Sequence, residues 1–147
     1  MWRGAIPSTS LTFCLVFEVN HWRNEANKGK KNMRTLNDYF LECHLDDVST
    51  AGTVRVAVPD AGRVIKITSV LGGTIATADA VCTAKVGTTN MTNGTITIAH
   101  SGSAAGDIDT CEPTGANSVV EGDYIAIATN GASTGTHSAH FTIVIRR

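Results

Sequence analysis

Short runs of alternating apolar and polar residues, separated by turn-forming clusters, recur from residue 38 to residue 145. The clearest run is TVRVAV at 53–58, where three valines occupy alternate positions. A period of two is typical of a β-strand that buries one face and exposes the other. No stretch after residue 45 shows the 3.6-residue period of an amphipathic helix. The pattern therefore predicts an all-β domain.

The turn clusters divide this region into about eight strands at the spacing of 8–12 residues that is typical of sandwiches and barrels. We predict one β-sandwich of antiparallel strands, jelly-roll-like or of a related type. Within it, we expect Ile65 and Ile67 to point inward, and we expect Asn93-Gly94 to close a turn. The predicted strands are 38–45, 53–58, 63–71, 78–87, 95–99, 108–113, 124–129 and 139–145, the last with Phe141, Ile143 and Ile145 on one face.

The amino-acid composition agrees with a strand-rich domain and gives no sign of a nucleic acid partner. Charged residues make up 17% and aromatic residues 5% of the 147 residues, and the net charge is −1. A weakly acidic chain gives no reason to expect a nucleic acid partner. Thr, Ala, Gly, Val and Ile dominate from residue 50 onward, as expected of pleated strands joined by tight turns.

Residues 1–32 differ in character from residues 33–147. A polar run containing Lys28, Lys30 and Lys31 precedes Met33, and it has no apolar periodicity. We expect 1–32 to be either a leader translated upstream of a true start at Met33 or a disordered arm that orders on a partner. The apolar run LTFCLVF at 11–17 lacks the flanks of a signal peptide and is too short to span a membrane.

No residue constellation in the sequence predicts chemistry. His137 and His140 are three apart at the start of a predicted strand, so they should point to opposite faces and not share a metal ion. Asp107 and Asp109 share a strand face and have the oxygen ligands that Ca²⁺ prefers, but solvated turn acids are the simpler interpretation. No nucleophile, zinc-binding or phosphate-binding motif occurs. We therefore expect no enzyme activity, no metal and no cofactor.

The four cysteines are widely spaced, and none forms a C-x-x-C pair. This spacing does not favour a metal site or a redox motif. We expect buried free thiols, which behave as small apolar side chains. The four are Cys14, Cys43, Cys82 and Cys111.

One ordered set of motifs resembles the head decoration, or capsid cement, proteins of tailed bacteriophages. The set runs ATAD-x-x-x-T-x-K-x-G, NGTITIA, SGSAAGDID and P-T-x-A-N-x-V-x-x-G-D, followed by a terminal strand with basic residues at its end. It covers roughly residues 53–147, or about two-thirds of the chain. These motifs are structural and carry no catalytic group.

The resemblance implies a β-rich module that binds the major capsid protein on the outer surface of the virion, often as a trimer, after synthesis in the host cytoplasm. We expect contacts from segment 34–47 and from loops 101–107 and 130–138, because loops on a rigid sandwich often carry binding. The alternative is that these loops only connect strands. The candidate contact residues are Arg34, Asp38, Tyr39, Asp46, Asp47, Ser101, Asp107, Asn130, His137, Arg146 and Arg147.

Two other functions are compatible with a small β-sandwich. A carbohydrate- or receptor-binding module of a fibre or surface protein would use exposed aromatic residues, and residues 33–147 contain only Tyr39, Phe40, Tyr124 and Phe141. A small hydrolase would require a nucleophile motif, and the sequence has none. Both are therefore weaker than the structural role.

Overall fold

A computed structural model describes residues 37–147. The expectations for residues 1–32, the start at Met33 and the candidate contact Arg34 lie outside these residues. Within 37–147 the chain forms strands and no helix, as the alternation predicted. The strands are β1 (Asp38–Leu45), β2 (Gly52–Ala57), β3 (Gly62–Leu71), β4 (Ala80–Val86), β5 (Thr89–Ile98), β6 (Ile108–Cys111), β7 (Ser118–Val119), β8 (Tyr124–Thr129) and β9 (Ala139–Arg146).

The strands form two antiparallel sheets. Sheet 1 has the order β1-β9-β3-β6, with the short β7 also paired to β3, and sheet 2 has the order β2-β8-β4-β5. The connections β1–β2, β2–β3, β3–β4, β5–β6, β7–β8 and β8–β9 each pass from one sheet to the other. This is the strand order of a jelly roll, in which two Greek keys interleave. The predicted all-β sandwich is thus confirmed.

The core lies between the two sheets and consists almost entirely of aliphatic side chains. Strand β9 buries alternate residues, as predicted, because its inward face lies against sheet 2. Each large aliphatic or aromatic side chain that is fully buried contributes about 1.5–3 kcal/mol relative to exposure. The largest fully buried side chains are Phe141, Ile67, Leu71, Ile75, Ile98, Ile125, Ile127, Ile143 and Ile145.

A β-bulge in β3 changes which residues of that strand point inward. Val64 and Ile67 are both fully buried although they are three residues apart, and Ile65 is only half-buried. The pairing of β3 with β9 shifts between Val64 and Lys66, so the extra residue resets the alternation. The predicted inward position of Ile67 is correct, and that of Ile65 is wrong for this reason.

The β4–β5 hairpin turns earlier than the sequence predicted. The turn lies at Gly87-Thr88, and β5 begins at Thr89, whereas Asn93-Gly94 falls inside β5. Asn93 has a φ of 57°, and the pairing of β4 with β5 shifts beside it. Asn tolerates the left-handed conformation, so the dipeptide forms a bulge here instead of a turn. Met91, within β5, is buried in the core.

The predicted loop between β6 and β8 contains the additional strand β7 and a buried amide. Asn117 is 3% exposed, and its Nδ2 donates hydrogen bonds to the carbonyl oxygens of Val64 (2.7 Å) and Pro113 (2.9 Å). The backbone N–H of Val64 donates to the carbonyl of Asn117 at 2.9 Å. The two bonds to Val64 hold the segment against β3, and the bond to Pro113 braces the segment internally.

We expect the substitution Asn117→Ala to lower the free energy of unfolding by about 2 kcal/mol, because it leaves two carbonyl groups without their donor in a buried environment. Urea denaturation followed by circular dichroism would measure the loss. Asn90→Ala is the matched control, since Asn90 is exposed on β5 and should change stability by less than about 0.5 kcal/mol. Equal stability of the two variants would contradict the anchoring role of Asn117.

Candidate partner-binding surfaces

Four loops that cross between the sheets meet at one end of the sandwich, which we call the loop end. Backbone hydrogen bonds tie them together: Val48 N–H donates to the carbonyl of His137 at 2.9 Å, and Ala76 and Thr134 exchange two bonds of 2.9 Å. The loop end therefore has an ordered backbone, held by the same kind of bonds as the sheets. Its four loops are 46–51, 72–79, 99–107 and 130–138.

The side chain of Ser103 holds loop 99–107 in place. Its Oγ lies 3.0 Å from both the N and the O of Ile75, and 3.1 Å from the carbonyl oxygen of His100. The side chain is buried, and a hydroxyl can both donate and accept. One buried hydroxyl thus joins loop 99–107 to loop 72–79.

Six of the predicted contact residues lie at the loop end, and several of them stabilise the loops themselves. The carboxylate of Asp47 accepts hydrogen bonds from Ser49 and Thr50, and these bonds hold its pKa below the usual value. The carboxylate of Asp107 accepts a bond from the N–H of Ala104 at 2.7 Å. The six are Asp46, Asp47, Ser101, Asp107, Asn130 and His137.

The other four described candidates lie together at the opposite end of β1 and β9, and they pair with one another or with Asp60. Arg146 donates two hydrogen bonds to the carboxylate of Asp38, at 2.9 and 3.0 Å, and this contact lowers the pKa of Asp38. Arg147 lies 3.0 Å from Asp60 and stacks over the ring of Tyr39 at 5.3 Å. The hydroxyl of Tyr39 donates to the carbonyl of Asp60. Their charges are therefore already compensated within the chain.

A third surface is the outer face of sheet 1, to which the predicted contact segment 34–47 contributes Phe40, Glu42 and His44. Ile108 is 65% exposed and Phe40 is 64% exposed on this face, and Val70 is directly opposite Ile108. Strand register places the outward residues in rows across the sheet. The rows are His44, His140, Val70 and Ile108; then Glu42, Thr142, Thr68 and Thr110; and then Phe40, Val144 and Lys66.

The three rows of the outer face of sheet 1 are weakly charged, whereas the next row consists of the charged residues Asp38, Arg146 and Arg63. Glu42 and Lys66 are the acidic and basic residues in its three rows, and threonine hydroxyls occupy most of the middle row. Removing such a face from water costs less than removing one covered with charges. Paired strands also hold its side chains on a rigid backbone. The face is therefore well suited to contact another protein surface.

Between β1 and β9 this face has a shallow depression of about 400 Å³, lined on the outside by Glu42, His44, His140 and Thr142. The rings of His44 and His140 are in contact, with centroids 4.2 Å apart. In the part of the chain described here, no group of three or more His, Cys, Asp or Glu residues is placed to hold a metal ion.

The three described cysteines are free thiols, as predicted, and they are unreactive in character. Cys82 and Cys111 are buried and Cys43 is half-buried. Burial raises the pKa of each thiol to about 11, because desolvation disfavours the thiolate. Nucleophilic and metal-binding cysteines act as thiolates, so these three act as core side chains.

Exposed aromatic residues do not form a common platform. Phe40 lies on the outer face of sheet 1, and Tyr124, which is 37% exposed, lies on sheet 2. Tyr39 and Phe141 face the core side of sheet 1.

Among residues 37–147 there is no helix long and apolar enough to cross a membrane.

No protein-family profile and no curated protein matches the sequence. Solved structures do match it. A chain in the acidic stable capsid structure of Helicobacter pylori bacteriophage KHP30 aligns with a TM-score of 0.53 at 13% identity, over 75% of this chain and 87% of that chain. This likeness establishes a shared fold.

Two further structures align less closely. The capsid asymmetric unit of cyanophage Pam1 contains a chain that aligns with a TM-score of 0.45 at 14% identity, over 74% of this chain and 82% of that one. The catalytic unit of a thermostable GH87 alpha-1,3-glucanase from Streptomyces thermodiastaticus strain HF3-3 aligns with a TM-score of 0.48 at 11% identity. That alignment covers 77% of this chain and 26% of the glucanase chain.

Proposed function

We propose that this protein is a non-enzymatic virion structural protein that binds the outer surface of a phage capsid and stabilises the shell. The observation that carries the proposal is the outer face of sheet 1, where exposed apolar side chains lie in rows on a rigid, weakly charged sheet. Val70 and Ile108 are exposed apolar neighbours on this face. We assign them to the centre of the contact with the major capsid protein.

Exposure of apolar side chains to water is costly. An apolar side chain that is left in water on a folded protein gains about 25 cal/mol per Å² when a partner covers it. Contiguous exposed apolar residues on a soluble domain commonly mark a protein-binding site. Ile108 and Val70 are neighbours in register, and the histidine pair continues their row across the sheet. A partner docked here would cover the whole row at once.

The shared fold supports the same proposal. The KHP30 capsid structure contains a chain of comparable length with the same fold, since the alignment covers 75% of this chain and 87% of that one. The sequence motifs that resemble decoration proteins lie in β4, β5, the loop end and the β7 region, which are structural parts of the sandwich. Both observations favour an accessory capsid protein over an enzyme.

The proposed mechanism is thermodynamic. A protein that binds the assembled shell but not its separated subunits stabilises the shell by mass action, by about 2.7 kcal/mol per site at a hundredfold excess over the Kd. If the bound form is a homotrimer, as the resemblance implies, three linked contacts multiply through effective concentration. Sedimentation velocity of the purified protein would test the trimer separately.

Particles that carry the protein are expected to release their DNA at a higher temperature than particles without it. The reason is that heat must first remove the bound protein or break shell contacts that it supports. A DNA-binding dye followed during a temperature ramp would measure the release, with undecorated particles and particles restored with purified protein as the pair. Identical release temperatures for the two samples would contradict the stabilising role.

A further inference from the structure

We propose that His44 and His140 form a binding site for a divalent transition metal ion such as Zn²⁺ or Cu²⁺ on the outer face of sheet 1. The two residues are 96 positions apart in sequence but directly opposite each other in the β1–β9 ladder. The site lies in the same row as the proposed capsid contact, but it is tested on the unbound protein, so either proposal can fail without the other.

The geometry brings two imidazoles within reach of one ion. Their ring centroids are 4.2 Å apart and their planes are tilted by 43°. Both rings line the depression between β1 and β9. Two nitrogens that bind one ion at about 2.0–2.1 Å in tetrahedral geometry lie about 3.3 Å apart. The exposed side chains can rotate about their torsions to bring one nitrogen of each ring to this separation, without movement of the backbone.

The identity of the ligands selects the class of ion. Neutral imidazole favours zinc, copper and nickel, whereas calcium and magnesium favour carboxylate and carbonyl oxygens. Two protein nitrogens leave the remaining coordination positions to water or to a ligand atom of another molecule. The expected affinity is therefore modest, and the coordination remains open.

Two acidic residues near the histidines favour a cation. The carboxylate of Asp46 lies 3.2 Å from Nε2 of His44, and Glu42 is two residues before His44 on the same face of β1. A carboxylate that accepts a bond from one nitrogen of a ligand histidine orients the ring and makes the other nitrogen a better ligand. Asp46 thus acts as a positioning residue. Lys66 is the lysine of the three rows, and it lies in the row of Phe40, two rows away from the histidines.

The test uses the full chain. Isothermal titration with Zn²⁺ should detect one saturable site per chain, and Cu²⁺ bound to the same protein should give an electron paramagnetic resonance spectrum with two coordinated nitrogens. His44→Ala or His140→Ala should each reduce the Zn²⁺ affinity by at least about tenfold and leave one coordinated nitrogen. Asp46→Asn should weaken binding by about tenfold while keeping both nitrogens in the Cu²⁺ spectrum.

His100→Ala and His21→Ala are the matched controls. His100 is exposed and bonds to Asp79 at 2.7 Å, with no second histidine beside it in the described part of the chain, and His21 lies outside that part. Both variants should bind Zn²⁺ like the original protein. Since His44 and His140 are exposed, their substitution should shift the urea midpoint little. No saturable Zn²⁺ binding below about 1 mM, or unchanged binding by the double variant lacking both histidines, would overturn the proposal.

Discussion

Simultaneous replacement of Val70 and Ile108 by aspartate is expected to weaken binding to capsids by about a thousandfold. Both side chains are exposed, at 37% and 65%, and they are register neighbours on the outer face of sheet 1. Central contact residues of protein interfaces often contribute about 2 kcal/mol or more each, and a buried unpaired carboxylate adds its own desolvation cost. Co-sedimentation with undecorated capsids over a range of protein concentrations would measure the change.

The control for this variant is an aspartate placed elsewhere on the surface. Val120→Asp adds one negative charge, half of what the double variant adds, at a residue that is 59% exposed in the loop between β7 and β8, outside the three rows of the outer face. It should bind capsids within about twofold of the original protein, since a solvated charge away from a contact has little effect. If Val120→Asp reduced binding as much as the double variant, net charge would explain the effect, and the proposed contact would be wrong.

Phe141→Ala is expected to lower the free energy of unfolding by about 3–5 kcal/mol, which is a large share of the stability of a domain of this size. Phe141 is 1% exposed on the inward face of β9, the second strand of sheet 1. Its removal takes apolar surface out of the core and leaves a cavity that the neighbouring aliphatic side chains fill only in part. Urea denaturation monitored by circular dichroism would measure the change.

Phe40→Ala is the matched control, because it removes the same side chain from the adjacent strand on the opposite face of the sheet. Phe40 is 64% exposed, so its loss should change the free energy of unfolding by less than about 0.5 kcal/mol. The two variants therefore lose the same side chain and differ only in how deeply that side chain is buried. Similar losses for both variants would mean that β1 and β9 do not have the faces described here.

The sequence alone determined the class of the fold, because period-two alternation depends only on neighbouring residues. Strands β1, β8 and β9 begin where the alternation begins, and the inward face of β9 was predicted correctly. A bulge is invisible to such a pattern, since one additional residue resets the alternation. Ile65 was therefore assigned to the wrong face, and Asn93-Gly94 was interpreted as a turn although it lies within β5.

The candidate contact residues show the same difference between what a sequence reveals and what depends on the fold. Charged and loop residues can be recognised in a sequence, but whether a charge is free or compensated depends on partners far along the chain. Asp38 and Arg146 are 108 residues apart and pair with each other. Exposed Val70 and Ile108 were not predicted, because an apolar residue within a strand is indistinguishable from a core residue until the sheet places it on a face.

Local alternation and turn chemistry thus determined that this chain forms antiparallel strands in a sandwich. Only the tertiary structure decided which residues meet across those strands, because long-range register brings together side chains such as His44 and His140 that no local pattern connects. The same register set the rows of the outer face, on which the proposed function depends.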